Sequence, residues 1–272
     1  MSNVRQEPRR SAAAPSGAAP GTKGDGPPAP AVGEKGLRFR ALKRLEDVVL
    51  AVAALVVTGP LILLGALAVK LSSPGPAFYR AKRAGLRGRQ FLLLKLRTMR
   101  VGADTPDRKV TAERDDRVTP VGRLLRKFKV DELPQLWNVL RGELSIVGPR
   151  PEDWDIVQQY YTPEQRRTLE VRPGIASPVD VLWYPDLTYH DPPPPGVPIQ
   201  EHYLRRHLPL QLAEAARYVE RQSLLLDAQV VLRLLFCVLV RSWLPPRKRP
   251  LPPGPGFPCQ GASPDGPHSR ED

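Results

Sequence analysis

The sequence predicts a helix-rich α+β domain associated with a membrane and flanked by disordered ends. Three observations carry this expectation: a run of 22 residues without a charge from Val48 to Val69, helix punctuation between residues 118 and 142, and two low-complexity termini. The 272-residue chain is 41% hydrophobic despite 33 prolines, so most of it can still build a core.

Residues 1–36 are dominated by Ala, Gly, Pro and Ser, and residues 245–272 hold nine prolines and four glycines, compositions that bury too little apolar surface to order a chain. Within the first thirty residues no apolar stretch of about 7–15 residues precedes a small-residue cleavage site, so no signal peptide is predicted. The expected divisions are a disordered tail over 1–36, a membrane-associated re-entrant helix over 37–72, a folded domain over 73–240 and a proline-rich tail over 241–272. Cys237 and Cys259 give neither a disulfide framework nor metal-ligand spacing, which points to a reducing compartment.

The run from Val48 to Val69 is long enough for the hydrocarbon of a bilayer. Gly59 and Pro60 fall at its centre, where the proline removes one helical hydrogen bond. The run then reads as two short helices meeting at a bend that enters and leaves by one face; a straight spanning helix and a buried core helix remain open. Arg38, Arg40, Lys43 and Arg44 precede it and Lys70, Arg80, Lys82 and Arg83 follow, so loop charge sets no orientation. A second apolar stretch, Ser223 to Val240, is interrupted by Asp227 and Arg233 and reads as an interfacial or core helix.

Net charge is +13, and the segment 37–150 alone carries 23 basic against 10 acidic side chains. Such an excess marks a surface for an anionic partner: nucleic acid, anionic lipid or a phosphorylated substrate. Within it, Thr119-Pro120 is an N-cap with proline at the first helical position, opening a helix over about 120–129. Asp131 then stands where a second N-cap would be, with Pro134 in the first turn and Gly142 as the stop. Capping alone accounts for Asp131 and Glu132 by spacing. The chemical alternative is an ionised carboxylate near Arg126 and Arg150, able to attack phosphorus, with Glu132 helping to hold a divalent metal.

Several strings in order decide for chemistry: KRLEDVVLA with the proline-broken run, SPGPAFYRAKRAG, FLLLKLRTM, RVTPVGRLLRKFKVDELPQLWNVLRGELSIVGPRPE, RPGI and YVERQSLLLD. Over about residues 37–240 the chain resembles bacterial sugar transferases of the monotopic polyprenyl-phosphate hexose-1-phosphate transferase superfamily. The resemblance implies a re-entrant N-terminal helix and a cytosolic catalytic domain on the bacterial inner membrane. It implies transfer of a sugar phosphate from a nucleoside diphosphate sugar, usually a UDP-sugar, to undecaprenyl phosphate, releasing UMP. Asp131 would be the nucleophile and Glu132 its partner, the two holding Mg²⁺; Lys95, Arg97, Arg126, Arg150 and, more weakly, Arg172 would contact phosphate. The expected partners are the nucleotide sugar, the lipid phosphate and membrane lipids, with a homo-oligomer left open.

Against the family pattern, Ala81 replaces glutamine, Lys129-Val130 replaces Ser-Leu, Glu143 replaces aspartate, and Ala176-Ser177 replaces Thr-Gly. The segment 178–210, with its DPPPPGVP, fits a variant branch, so the sugar and the polymer are not legible. The chain is expected to be the minimal catalytic form. A catalytically inactive membrane-tethered scaffold is the alternative of another class; a nucleic-acid-binding role rests on charge alone and lacks a recognition motif.

Overall fold

A computed structural model describes residues 36–103, 115–185, 187–244 and 248–252. The tails expected to be disordered, 1–36 and 241–272, therefore lie outside the described residues except for Gly36, 241–244 and 248–252, and Cys259 lies outside them too.

The chain opens with a helix, α1, over Leu37–Ser72, which carries Pro60 inside it and ends where the Ser73 N–H bonds the Val69 carbonyl at 3.2 Å, just before Pro74. Among the described residues it is the one helix long and apolar enough to cross a membrane. Its buried residues are Lys43, Asp47, Ala51, Ile62, Gly65 and Val69. These repeat every three, four or eleven positions, so they form one stripe that continues across Pro60. The stripe packs on the folded domain at both ends of the apolar run. Ala51 joins Ala81, Phe91, Leu93, Leu136, Val139 and Leu144, while Val69 joins Leu96, Leu125 and Val130. Val52, Val56, Val57, Leu61, Leu63, Leu64 and Leu67 stay exposed on the other sides.

An antiparallel hairpin follows, β1 (Phe78–Ala84) with β2 (Gln90–Leu96), in register from Phe78 opposite Leu96 to Ala84 opposite Gln90. Thr119 caps α2 (Pro120–Lys127), its Oγ1 accepting the Gly122 N–H at 2.9 Å as the sequence predicts. A tight 3₁₀ turn, Val130–Glu132, leads into α3 (Gln135–Leu140), after which Gly142 adopts φ +78° and stops the helix. The expected N-cap at Asp131 is corrected here: the residue lies inside the turn, α3 starts after Pro134, and neither start has a side-chain cap.

β3 (Ser145–Val147) pairs in parallel with β4 (Gly174–Ala176). The glycines of the VGPRP and RPGI strings allow a close backbone crossing beside this pair. A Cβ on Gly148 would lie 2.4 Å from the Arg172 carbonyl oxygen, and one on Gly174 would lie 2.1 Å from the Gly148 nitrogen. Between the strands, α4 (Trp154–Tyr160) is apolar on one side. Ile156, Val157 and Tyr161 are buried with Tyr203, Leu204, Leu208 and Leu212, and Trp154 and Tyr160 pack against them, so these aromatics are core.

The remaining elements are short α5 (Pro178–Leu182), α6 (Leu187–His190) and α7 (Ile199–His202), then a π-helical turn over Tyr203–His207, α8 (Leu208–Arg221) and α9 (Leu224–Leu239). Ser223 caps α9 by accepting the Leu226 N–H at 3.2 Å. The helix splits its faces: Asp227, Val230 and Cys237 are buried, while Leu225, Leu232, Leu235, Phe236 and Leu239 are exposed. Beyond it, Trp243 packs on Phe128 with ring centroids 5.3 Å apart, Leu251 packs near Val179 and Leu187, and the Arg249 N–H donates to His190 Nδ1 at 3.2 Å.

A buried ion cluster ties these parts together. Lys43 Nζ sits 2.8 Å from both Asp47 Oδ1 and Asp227 Oδ2. Asp47 also accepts the Ser145 hydroxyl at 2.9 Å and the Ile146 N–H at 3.0 Å, and Asp227 accepts the Tyr218 hydroxyl at 2.7 Å. The KRLED and YVERQSLLLD strings, far apart in sequence, are thus two halves of one anchor between α1, β3, α8 and α9.

Candidate active site

The hairpin and α3 set the frame of the site. Asn138 presents its side-chain amide to β2 as a strand would, donating to the Leu92 carbonyl at 2.8 Å and accepting the Leu94 N–H at 3.0 Å. At the other end of α3, Arg44 of α1 donates to the Val139 and Leu140 carbonyls at 2.6 and 2.9 Å. These contacts satisfy carbonyls that a helix end leaves open and hold the Val130–Glu132 turn beside Lys95.

Lys129 precedes that turn in the left-handed region, φ 55°, a conformation that costs a non-glycine residue about 1–2 kcal/mol. The resulting turn points both carboxylates into a cavity of about 1080 Å³, lined also by Lys95, Arg97, Arg126, Lys129 and Arg150. Lys95 Nζ lies 3.2 Å and Lys129 Nζ 3.9 Å from Glu132 Oε1. Arg126 Nε donates to Thr98 Oγ1 at 2.8 Å, and Arg150 Nη1 donates to Asp180 Oδ1 at 2.7 Å. Asp131 differs from all of these. It is buried, and its Oδ1 has no hydrogen-bond partner among the described residues. A buried carboxylate oxygen left unpaired costs on the order of 1–3 kcal/mol or more, and such groups mark working sites.

The electrostatics separate the two acids. Burial pushes the Asp131 carboxyl up, the neighbouring Glu132 adds to the rise, and Lys95, Lys129 and Arg126 only partly oppose it. For Glu132 burial acts in the same direction, but Lys129, Lys95 and Arg150 outweigh it and hold the carboxyl well below the usual carboxylate range. Burial lowers Lys95 despite Glu132, whereas Glu132 raises Lys129. One acid is therefore locked as an anion between two lysines, while burial disfavours the charge on the other.

Six of the seven residues expected to work together do line one cavity: Asp131, Glu132, Lys95, Arg97, Arg126 and Arg150. Arg172 does not. Its Nε donates to the Gly142 carbonyl at 2.9 Å, completing the cap of α3 beside Arg44, and it lies outside the cavity lining. Arg97 is buried and largely committed to backbone: its Nη2 donates to the Ser73 carbonyl at 2.9 Å and its Nη1 to that of Pro74, so it fixes the end of α1. Sequence reasoning missed Lys129, Thr98 and Asp180. The spacing of Lys129 three residues before Glu132 was the available signal; Thr98 and Asp180 act through contacts 28 and 30 residues away in sequence and left none.

For a divalent metal, the Asp131 carboxylate in the cavity lining is the donor type that fits: a hard cation takes carboxylate and phosphate oxygens. Glu132 is less available because lysines occupy Oε1.

The profile of the bacterial sugar transferase family matches residues 38–241. Over 136 residues the chain is 51% identical to a UDP-glucose:undecaprenyl-phosphate glucose-1-phosphate transferase of Caulobacter vibrioides, covering 49% of this chain and 51% of that protein. It is 46% identical over 140 residues to an Escherichia coli protein of the same name, covering 50% and 30%. It is 38% identical over 146 residues to a UDP-N-acetylgalactosamine-undecaprenyl-phosphate N-acetylgalactosaminephosphotransferase of Aeromonas hydrophila, covering 53% and 34%. The matched parts thus span about half of these relatives' lengths or less. With an acid pair set beside two lysines in the lining of a basic cavity, and with the family profile running from α1 to the end of α9, this chain belongs to the bacterial sugar transferase family.

Proposed function

We propose that this protein transfers a sugar-1-phosphate from a nucleoside diphosphate sugar, a UDP-sugar first of all, to undecaprenyl phosphate, releasing UMP. The observation that carries the reading is Asp131, a buried acid with one oxygen that finds no hydrogen-bond partner among the described residues, in the lining of a cavity that ten Lys and Arg side chains also line. The names of the relatives, which pair UDP-sugars with undecaprenyl phosphate, support the choice of substrates.

In the first step an Asp131 oxygen attacks the phosphorus that carries the sugar. The bond from that phosphorus to the bridging oxygen breaks, UMP leaves with that oxygen, and a phosphosugar ester forms on the aspartate. In the second step an oxygen of the lipid phosphate attacks the same phosphorus and the aspartate is released as carboxylate. Arg126 and Arg150, oriented by Thr98 and Asp180, stand where they would neutralise phosphate oxygens. Lys95 and Lys129 keep Glu132 anionic and offset the charge that two anionic substrates bring. Bound at Asp131, with Glu132 nearby, Mg²⁺ would supply charge neutralisation of the diphosphate.

The packing of α1 supports an attachment to one face of the bilayer; we take that face to be the cytoplasmic face of the inner membrane, where a nucleotide sugar would be met. Asp47 and Val69 bracket the apolar run, and both are buried against the same folded domain. A straight crossing would put them on opposite sides of about 30 Å of hydrocarbon, with polar protein between. A run that enters and leaves by one face keeps both contacts. The exposed stripe of α9 and the exposed side of α1 are the surfaces that lipid would cover. Initiation of a surface polysaccharide or glycoconjugate follows as the role of such a lipid-linked product.

The test is UMP release by detergent-solubilised protein with a panel of UDP-sugars, undecaprenyl phosphate and Mg²⁺, comparing wild type with Asp131→Asn. Release that requires the lipid and disappears in the variant is expected. Without lipid, wild type should gain the mass of one phosphosugar. Equal release by both proteins removes Asp131 as nucleophile, and no release with any donor returns the protein to a scaffold role.

A further inference from the structure

The π-helical turn between α7 and α8 juxtaposes two histidines that an ordinary helix would separate. His202 and His207 are five residues apart, about 140° around an α-helix. Pro209, which has no N–H for the Arg205 carbonyl, forces an adjustment, and the Leu208 N–H bonds Tyr203 instead, five residues back. The two rings then stand edge to face with centroids 5.0 Å apart, both buried.

Both converge on Asp191. His202 Nε2 lies 3.0 Å from Asp191 Oδ2 and 3.0 Å from its carbonyl oxygen; His207 Nε2 lies 3.4 Å and 3.0 Å from the same two atoms. Bonds of about 2.0–2.1 Å from a tetrahedral zinc put its ligand atoms roughly 3.3 Å apart. The two carboxylate–imidazole separations, 3.0 and 3.4 Å, match that edge, and the three side-chain ligand atoms all fall within 4.8 Å of one another. Two imidazoles and one carboxylate select a borderline transition ion over Mg²⁺.

We propose that Asp191, His202 and His207 form a binding site for a divalent transition ion of the Zn²⁺ class, separate from the acid pair at Asp131. Its ligands bracket the segment Asp191–Pro198, which has four consecutive prolines and no regular element before α7. The ion clamps that segment to the start of α8, and with it Thr188, Tyr189 and His207, which line the same cavity as Asp131. Without metal, both Nε2 atoms carry protons and donate to Asp191, and the buried His207 Nδ1 has no partner among the described residues. With metal, each ring proton moves to Nδ1 and the Nε2 lone pairs face the ion. Arg206 Nε, 3.4 Å from Asp191 Oδ2, competes for that oxygen and is exposed enough to swing away.

The inference does not rest on the transfer reaction. The full chain, purified in detergent without a polyhistidine tag, is equilibrated with Zn²⁺ in excess Mg²⁺, desalted and assayed for metal; Co²⁺ replaces Zn²⁺ for visible absorption. One Zn²⁺ per chain, a tetrahedral Co²⁺ spectrum and a Zn²⁺-dependent rise in Tm are expected. Asp191→Asn and His202→Gln should each weaken retention at least tenfold and abolish the rise, read within each variant against its own metal-free Tm. Asp131→Asn should retain the ion. No retained Zn²⁺ in wild type, retention unchanged in Asp191→Asn and His202→Gln, or its loss in Asp131→Asn each overturns the proposal.

Discussion

Lys43→Met should be among the most damaging single substitutions in the chain, although Lys43 is far from any reacting atom. The side chain is 8% exposed and stands 2.8 Å from two carboxylates that are each 1% exposed. Methionine keeps the length and the packing of the stem and removes only the charge. Asp47 and Asp227 are then buried without a counter-ion, with Glu46, now 3.6 Å from the lysine nitrogen, adding a third negative charge. Breaking a buried pair from one side costs about 3–5 kcal/mol because the stranded charge cannot return to water. For a domain of this size about 2–4 °C of Tm accompanies each kcal/mol, so the expected loss is on the order of 6–20 °C. Thermal unfolding of wild type and variant in the same detergent measures it. The sign of the pH dependence gives a second check. Burial already raises the Asp227 carboxyl against the pull of Lys43, and losing the lysine raises it further, so the deficit is full at neutral pH and shrinks as pH falls through the raised folded value. Asp47→Asn and Asp227→Asn added to Lys43→Met should restore part of the loss. A Lys43→Met protein that unfolds within about 2 °C of wild type, less than the equivalent of 1 kcal/mol, refutes the anchoring role given to this cluster.

Transfer should fail on the acid side at a pH above the ordinary carboxylate range, because the raised Asp131 must lose its proton to attack; the pH profile of kcat/KM for UMP release reads this, and an acid limb at or below the ordinary aspartate value contradicts it. Thr98→Val removes the hydroxyl that orients Arg126 and should reduce kcat/KM about tenfold with little change in Tm, equivalent to roughly 1.4 kcal/mol of transition-state stabilisation; unchanged kinetics would make Arg126 a bystander. Gly122→Ala puts a Cβ 2.1 Å from the Thr98 carbonyl oxygen, backbone that cannot swing aside, and should cost about 1–3 kcal/mol; Gly65→Ala, which meets the movable Leu96 Cδ1 at 2.7 Å, should cost less, and thermal unfolding of the two ranks them. Pro60→Leu restores a helical hydrogen-bond donor in an exposed stretch and should shift the N-terminus toward the far face of the membrane, scored by labelling of an introduced N-terminal cysteine from each side of sealed vesicles; labelling that stays on one side counts against the bend at Gly59 and Pro60.

Several features were decided by local rules and were readable from residue order. The uncharged run from Val48 to Val69 read as helix of one arrangement or another, and Thr119-Pro120 marked a helix start, because one residue's side chain and its next-turn N–H settle a cap. The positive segment 37–150 announced an anionic partner for the same reason: charge adds without regard to fold. Tertiary structure decided what each charge does. Asp131 had the spacing of a cap and instead lies buried inside a 3₁₀ turn in the cavity lining, since the chain turns at Lys129 before α3 begins. Arg172 and Arg126 are alike in sequence. One ends on the Gly142 carbonyl and the other faces the cavity from Thr98, because helix ends and cavities are made by residues dozens of positions away. His202 and His207 meet only because a proline-driven π turn rotates one toward the other, a change of winding that no α-helical or β period in the sequence announces. Type and order of side chains thus determined what could be buried, capped or charged; which polar group keeps a free valence was settled only when every other donor and acceptor had found its partner.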